Sequence, residues 1–271
     1  MIQLHGRGAG RAVNQTSHEM KASHFAWLED TSLRLLCVLA LDRFGDFISD
    51  QVIAPVRETT AQALGSLAKL MEPSQVESVV AVLLQLLEQN EWETRHGGLL
   101  GLKYLMAARQ DLSQQLLPLV YPSLFRGLQD DVDDVSAVAA AALVPLADPL
   151  VNLLHLNEIG ILLKTLWDSL LELDELTAST SCILTLLSSL MARSETVPCL
   201  QNLPLVDLVP RLWPFLSHSS SKVSVSKCIF FNLWQLHQFL VENLGPTFDV
   251  KNSGDVTDSS TYCRVDGWVS F

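Results

Sequence analysis

One helical pattern recurs along this chain at a nearly constant spacing, and it is clearest between Glu91 and Leu105. There Arg95 is followed by leucines four and seven positions later, a spacing that places all three side chains on one face of an α-helix. The same register recurs with its polar residue at Arg57, Ser136, Thr177 and Ser224, so the intervals are 38, 41, 41 and 47 residues. The chain is therefore built from repeats.

The repeat length predicts the class of fold. The chain is 48% hydrophobic but only 7% aromatic, and its apolar residues follow helical spacing almost throughout. Two-helix units of about 40 residues are typical of HEAT and armadillo repeats, whereas tetratricopeptide and ankyrin units are shorter. We therefore predict an all-α fold, a HEAT-repeat α-solenoid of about five helix pairs.

The same periodicity divides the chain into three parts. Residues 1–23 are rich in glycine and arginine with little apolar periodicity, so we expect a flexible N-terminal arm. Residues 24–244 carry the helix pairs. Apolar periodicity stops after Gly245-Pro246 and the run 252–260 is polar, so we predict a disordered C-terminal tail at residues 245–271.

Capping signals and prolines give the expected helix boundaries. The first helix should end near Gly45, with Asp50 as a cap and Pro55 in the first turn of the second helix. Later helices are expected near 74–89, 92–109, 112–128 and 133–147, followed by a pair between 158 and 191 that turns at 172–175 and a fifth pair between 204 and 244. Pro118, Pro122, Pro145 and Pro149 should bend or end the helices that contain them.

Charge restricts the kinds of partner. The net charge is −12, which argues against direct nucleic-acid binding, because phosphate contacts need clustered cations. A basic partner is favoured instead.

The apolar runs 35–41 and 137–147 are shorter than the roughly 18 residues that span a bilayer, and no secretory signal is evident. The five cysteines form no CxxC pair, so we expect small buried side chains in a reducing, intracellular compartment.

Acidic residues gather in the turns between the two helices of successive pairs. These turns should line one edge of a solenoid, and such an edge could bind or steer a basic protein. An alternative is that the acids only favour the adjoining helix N-termini. The candidate partner-binding residues, which include one tryptophan, are Asp46, Asp50, Glu91, Trp92, Glu93, Asp130, Asp131, Asp133, Asp134, Asp174 and Glu175.

Several residues near these turns have a structural interpretation. Gly97, Gly98 and Gly101 lie within a helical pattern without a preceding strand, so close helix packing explains them better than a phosphate cradle. Arg57 and Arg95 occupy equivalent positions, where they should bond Asp or carbonyl groups of the neighbouring repeat as a ladder. Trp92 could anchor a partner, but a tryptophan at a helix start more often covers the adjacent hairpin.

Motifs for catalysis are missing from the sequence. It has no phosphate-binding Gly-x-x-x-x-Gly-Lys-[Ser/Thr] loop and no Gly-x-Ser-x-Gly elbow, and His18-Glu19 is not followed by the histidine of a zinc protease. We expect no catalytic residue, cofactor or metal site in this chain. A site assembled from distant side chains would need an enclosed pocket, which helical solenoids seldom have.

Five segments carry a more specific resemblance: 41–47 (LDRFGDF), 54–59 (APVRET), 92–101 (WETRHGGLLG), 129–131 (QDD) and 166–174 (LWDSLLELD). Together they resemble the HEAT region of the TATA-binding-protein-associated factors, which are large Snf-type ATPases of the B-TFIID complex. The resemblance covers about residues 27–216 and fades after Val223, where Ser224 replaces the usual basic residue.

This resemblance implies a function. The region would grip TATA-binding protein, a strongly basic partner, while an ATP-driven motor elsewhere in the family's chain removes that protein from promoter DNA. Our hypothesis is therefore a nuclear, non-catalytic binding module, a fragment or truncated isoform without the motor, with ATP a cofactor only of the full-length family. The alternative is a generic HEAT scaffold for another basic or helical partner, such as a transport adaptor or phosphatase-type scaffold.

Overall fold

A computed structural model describes residues 6–48, 51–171 and 178–200 of the chain. Within them, four helix pairs follow one another, joined by short turns and three single 3-10 turns. The α-helices are α1 (Gly6–Leu41), α2 (Pro55–Ala68), α3 (Pro73–Leu86), α4 (Trp92–Ala108), α5 (Ser113–Gly127), α6 (Asp133–Leu143), α7 (Ala147–Leu153), α8 (Leu156–Leu171), α9 (Ala178–Met191) and α10 (Val197–Leu200).

The helix pairs stack in single file. Among the second helices of the pairs, α2 packs on α4, α4 on α6 and α6 on α9, while the first helices α1, α3 and α5 form a parallel row. Each pair thus buries its apolar faces against its neighbours, as repeat solenoids do. The all-α HEAT-repeat prediction is confirmed, and the predicted fifth pair, at 204–244, lies outside the described residues.

The repeated register marks the core. The apolar residues that define it on the second helices are 0–1% exposed: Ala61, Leu64, Leu99, Leu102, Ala140 and Leu143. The polar residue that begins the register is also buried in two of the units. Arg57 is 0% exposed and Ser136 is 7% exposed. In α9 the register continues with a partly buried Ser181 and a buried Leu184, while Thr177 lies outside the described residues.

The first pair departs from the sequence prediction. Helix α1 begins at Gly6 and ends at Leu41, so the expected arm is helical over most of its length, although the side chains from Glu19 to Trp27 are exposed. The helix extends because alanine, methionine, lysine and glutamate in this segment are good helix formers. Cys37 is exposed on α1, so the prediction of a buried thiol is wrong there.

A small antiparallel hairpin connects α1 and α2, where the sequence predicted only a turn. Strands β1 (Asp46–Ile48) and β2 (Gln51–Ile53) pair with Phe47 opposite Val52. Aromatic and β-branched residues on both sides of a two-residue connection favour such a hairpin. The N-cap of α2 is Ala54, without a side-chain hydrogen bond, and Pro55 is its first residue.

The prolines of the third pair differ in their effect, since α5 continues through two of them and a helix is interrupted at a third. Pro118 and Pro122 lie inside α5, and Pro145 lies in the 3-10 turn that separates α6 from α7. The combined stretch Asp133–Leu153 is long and apolar enough to cross a membrane by length and composition alone, but 61% of its apolar window is buried inside the protein. Burial of that extent is typical of a core helix in a repeat.

Candidate partner-binding edge

The turns within successive pairs lie side by side. Arg57, at the start of α2, donates a hydrogen bond of 3.2 Å to the carbonyl oxygen of Glu93 in α4. Arg95, at the start of α4, reaches Asp130 in the turn before α6. These two links join the turns before α2, α4 and α6 into one continuous edge of the solenoid.

Arg57 is the centre of a buried cluster at this edge. One terminal nitrogen lies 3.2 Å from Nδ1 of His96, and the other donates to the carbonyl oxygen of Phe44 at 3.5 Å. Its Nε lies 3.3 Å from a carboxylate oxygen of Asp42, but the two atoms are not aligned as a hydrogen bond. Arg57 therefore fastens the end of α1 and the start of α4 to α2.

Burial sets the protonation states in this cluster. Desolvation lowers the pKa of Arg57, although the negative charge of Asp42 acts to raise it. Desolvation also lowers the pKa of His96 to about 3, assisted by the positive charges of Arg57 and Lys103. His96 is thus neutral near pH 7, so its Nδ1 accepts the hydrogen bond from Arg57 and its Nε2 carries the proton.

Arg95 forms the second link. Its guanidinium donates two hydrogen bonds to the carboxylate of Asp130, at 2.7 and 2.8 Å, and others to the carbonyl oxygens of Gln89 and Asn90 at 3.1 and 2.7 Å. Asp130 in turn accepts the backbone N–H of Val132 at 3.0 Å. A planar guanidinium suits this two-pronged pairing, which fixes the turn before α6 against α4.

The structure separates the predicted acidic residues into groups. Asp130 is held by Arg95, and Asp42 by Arg57. Glu91, Asp131 and Asp133 are exposed, while Glu93 and Asp134 are partly buried. The backbone of Asp46 lies in β1, but its side chain, together with Asp50, Asp174 and Glu175, lies outside what the structure describes. Within the described part, the available negative charge is smaller than the sequence suggested.

Helix capping accounts for little of this acidity. The N-cap residues of α4 and α6 are Glu91 and Val132, and neither makes a side-chain cap hydrogen bond. Glu93 lies in the first turn of α4, and Asp133 and Asp134 lie in the first turn of α6, where the helix dipole favours negative charge. The dipole thus gives a structural reason for these three residues but not for Asp131.

Trp92 is half-buried and packs against the core. The guanidinium of Arg57 lies over its ring, 5.4 Å from the centroid, and His96 meets the ring edge-on at 6.2 Å between centroids. One face of the indole is therefore occupied by Arg57 of the preceding helix pair, as expected of a tryptophan that covers an adjacent pair.

The glycines of α4 lie where helices approach closely. A Cβ at Gly97 would collide with the carbonyl oxygen of Leu39 in α1, and one at Gly101 would lie 2.5 Å from Cδ2 of Leu83. At Gly98 the nearest atom would be Cδ2 of Leu87, at 2.9 Å. Helix α3, not a strand, precedes α4, so this is not the geometry of a phosphate cradle.

Sequence reasoning missed Arg109, at the end of α4. It donates hydrogen bonds to the carbonyl oxygens of Ala68 and Met71 at 3.0 and 2.8 Å and pairs with Asp111 at 2.9 Å. These bonds satisfy carbonyls at the C-terminal end of α2, so Arg109 links two pairs at the opposite edge. Its position directly after the helical pattern, two residues before an aspartate, was the available signal.

The described residues offer little for catalysis or metal binding. No group of three or more His, Cys, Asp or Glu that could hold a metal ion occurs among them. A groove of about 570 Å³ between α5 and α7 is lined mainly by Gln, Ser, Pro and Leu side chains. Its acidic residue, Asp148, is paired with Arg193.

Comparison with known proteins identifies relatives of this chain. No family model matches the chain. Three curated relatives match about four fifths of it: TATA-binding protein-associated factor 172 of Homo sapiens, 53% identical over 82% of the chain, BTAF1 of Arabidopsis thaliana, 42% over 79%, and MOT1 of Saccharomyces cerevisiae, 35% over 82%. The chain is homologous to one segment of the TATA-binding-protein-associated factors.

The chain corresponds to one segment of these TATA-binding-protein-associated factors. It spans 12% of the length of the human and Arabidopsis proteins and 13% of the yeast protein. The segment is a repeat scaffold and not the ATPase motor of the family.

A solved structure supports the same fold. The crystal structure of the Mot1 N-terminal domain in complex with TBP aligns with a TM-score of 0.51 and 16% sequence identity, over 76% of this chain and 29% of that one. At this identity the likeness shows the fold alone.

Proposed function

We propose that this chain is a protein-binding HEAT module whose acidic edge docks TATA-binding protein. The family's members are named as TATA-binding protein-associated factors, and the solved Mot1 domain is a complex with TBP. The observation on which the proposal rests is the continuous edge itself, where Glu91, Asp131 and Asp133 remain exposed beside the two arginine links.

The geometry favours an extended contact with a basic protein. Exposed carboxylates on a fixed edge steer a positive surface and set its orientation, and they contribute more to association rate and specificity than to affinity. The links of Arg57 and Arg95 hold the backbone of this edge in place, so little ordering of the backbone would be needed on binding. The function of the module would be nuclear and non-catalytic, and ATP would be needed only by the motor of full-length relatives.

A charge-reversal titration tests the proposal. The full chain carrying Glu91→Lys, Asp131→Lys and Asp133→Lys should bind TATA-binding protein about tenfold or more weakly at low salt, with a smaller difference at high salt. A matched control changes three exposed glutamates at the opposite edge, Glu77, Glu158 and Glu195, to lysine. That variant has the same net charge and should bind close to wild type.

The alternative, a generic scaffold, makes different predictions. If the chain retains a basic control protein of matched net charge as well as it retains TATA-binding protein, charge alone explains binding. If affinity is the same for the edge variant and the wild type, these acids do not contact the partner and the proposed edge is wrong.

A further inference from the structure

The acidic edge also carries an aromatic side chain. Phe44, in the turn that follows α1, is 82% exposed, the largest exposed fraction among the large apolar side chains of the described residues. Val56, in the first turn of α2, is 50% exposed at the same edge. A single exposed apolar side chain is common on protein surfaces and by itself indicates little. What distinguishes Phe44 is the way its backbone is held.

Both backbone polar groups of Phe44 are bonded to a buried ion pair. Its N–H donates to a carboxylate oxygen of Asp42 at 3.4 Å, and its carbonyl oxygen accepts a hydrogen bond from Arg57 at 3.5 Å. The side chains of Asp42 and Arg57 are 7% and 0% exposed, and burial of two such charges costs desolvation. The ring of Phe44 is therefore carried into solvent on a backbone that is fixed from beneath.

The exposure of Phe44 follows from its position in the turn. Arg95 occupies in α4 the place of Arg57 in α2, and it donates to the carbonyl oxygens of Gln89 and Asn90. These two residues are the counterparts of Phe44. Both are exposed, although helix pairs lie on both sides of theirs. Turn residues bonded to the repeated arginine thus project from the edge within the stack as well, and Phe44 is the apolar one among them.

Arg57 brings Phe44 next to the acidic residues. One guanidinium bonds the carbonyl oxygens of both Phe44 and Glu93, so the turn after α1 and the start of α4 lie within reach of a single side chain. Glu91, the N-cap residue of α4, is exposed there. An apolar group surrounded by solvated charges is the arrangement of a binding hot spot with its polar rim. Charge steers any basic partner, whereas a ring that must fit a recess selects among basic partners.

We propose that Phe44 is the apolar anchor of the acidic edge and inserts into an apolar recess flanked by basic side chains on the bound protein. The inference rests on the proposed function, because it concerns the same edge and the same partner, TATA-binding protein. It adds an uncharged determinant to that edge. The carboxylates set the association rate and the orientation, and Phe44 sets the lifetime of the complex.

Substitution of Phe44 in the full chain provides the test. Phe44→Ala should weaken the binding of TATA-binding protein about tenfold or more, through faster dissociation. The loss should be similar at low and high salt, because salt screens charges and not the burial of a ring. Phe44→Leu keeps most of the apolar bulk and should recover part of the affinity. Surface plasmon resonance at two salt concentrations measures both rates.

A matched control removes an exposed apolar side chain from the opposite edge. Leu70, in the turn after α2, is 59% exposed, and Leu70→Ala should bind as the wild type does. Phe44→Ala should also melt at the wild-type temperature, because alanine keeps the backbone N–H and carbonyl that Asp42 and Arg57 bond. Weaker binding that comes with a lower melting temperature would indicate a structural role for Phe44 and overturn the proposal.

The variants distinguish failure of the anchor from failure of the acidic edge. If the charge-reversal variant of the edge binds weakly and Phe44→Ala binds normally, the edge is supported and the anchor is wrong. If only Phe44→Ala binds weakly, the anchor is supported and the acidic contact is wrong. A wild-type chain that does not bind TATA-binding protein overturns both.

Photo-cross-linking tests the recess. The photoreactive residue p-benzoyl-phenylalanine in place of Phe44 should cross-link to TATA-binding protein, at apolar residues with lysine or arginine close by. The same residue in place of Leu70 should give little cross-linking. Equal cross-linking from both positions, or attachment of position 44 to an acidic or purely polar segment, would contradict the proposed recess.

Discussion

Arg95 and Asp130 form a two-pronged ion pair between adjacent repeats, with nitrogen to oxygen distances of 2.7 and 2.8 Å. The two side chains are only 19% and 12% exposed, so the pair is shielded from solvent at an otherwise acidic edge. It removes Asp130 from the charges that a partner could meet and holds the turn before α6 on α4.

Loss of this pair should destabilise the solenoid. We expect Arg95→Ala to lower the free energy of unfolding by about 1–3 kcal/mol, since Asp130 would keep its partly buried carboxylate without a partner. Arg126→Ala is the control, because Arg126 pairs with Glu88 while 60% exposed and should change stability by less than about 1 kcal/mol. Denaturant unfolding followed by circular dichroism measures both. Equal effects would contradict a special role for Arg95.

Removal of Arg57 should have a larger effect. Arg57→Ala leaves Asp42, whose side chain is 7% exposed, as a buried charge without its ion partner, and opens a space beneath Trp92. Breaking one side of a buried pair costs about 3–5 kcal/mol. Arg34→Ala, at an exposed pair on α1, should stay within about 0.5 kcal/mol. A thermal melt in which both variants unfold at the wild-type temperature would show that the cluster is not needed for stability.

Glycine substitutions provide a test of helix packing. Gly97→Ala should destabilise by about 1–3 kcal/mol, because the new methyl group would collide with the Leu39 carbonyl oxygen and push α1 from α4. Gly160→Ala in α8 is the opposite case, since nothing lies within 4 Å of its added Cβ. There alanine should stabilise by up to about 1 kcal/mol through its higher helix propensity. The two changes should therefore shift the unfolding midpoint in opposite directions, and a Gly97 variant as stable as wild type would disprove the close approach.

His96 should make the protein sensitive to mild acid. Its pKa is about 3 in the folded chain and about 6.5 in an unfolded one. As pH falls, His96 is therefore protonated in the unfolded chain before it is protonated in the folded chain. The free energy of unfolding decreases between about pH 6.5 and pH 3, by at most about 1.4 kcal/mol per pH unit. His96→Asn keeps an acceptor for Arg57 but does not titrate, so its melting temperature should fall less between pH 7 and pH 5. Identical pH profiles would exclude His96 as the source.

Much of the fold could be predicted from local spacing. The start of α4 at Trp92 agrees with the prediction, and its end at Ala108 differs by one residue, because apolar periodicity and the acidic first turn are encoded nearby. The hairpin between α1 and α2 was missed, since strands of three residues give too short an alternation to detect. The helical start of α1 was also missed, because this segment contains three glycines and lacks the apolar periodicity that marks the other helices.

The candidate site was predictable as a location but not residue by residue. Sequence spacing placed Asp130, Asp131 and Asp133 on the same turn, yet it could not tell that Arg95 binds the first and leaves the other two exposed. The missed Arg109 has the same explanation, since its carbonyl partners, the last residue of α2 and Met71 in the following turn, lie 41 and 38 residues away. Contacts over such separations depend on how the pairs stack.

The sequence by itself determined that paired helices recur and which of their faces are apolar, because helical periodicity is a property of neighbouring residues. Only the tertiary structure decided which charges are neutralised, which glycines meet a neighbouring backbone and which turn residues are held by the arginine links. Those outcomes depend on the distances between repeats about 40 residues apart, and these distances are set by packing once the chain has folded.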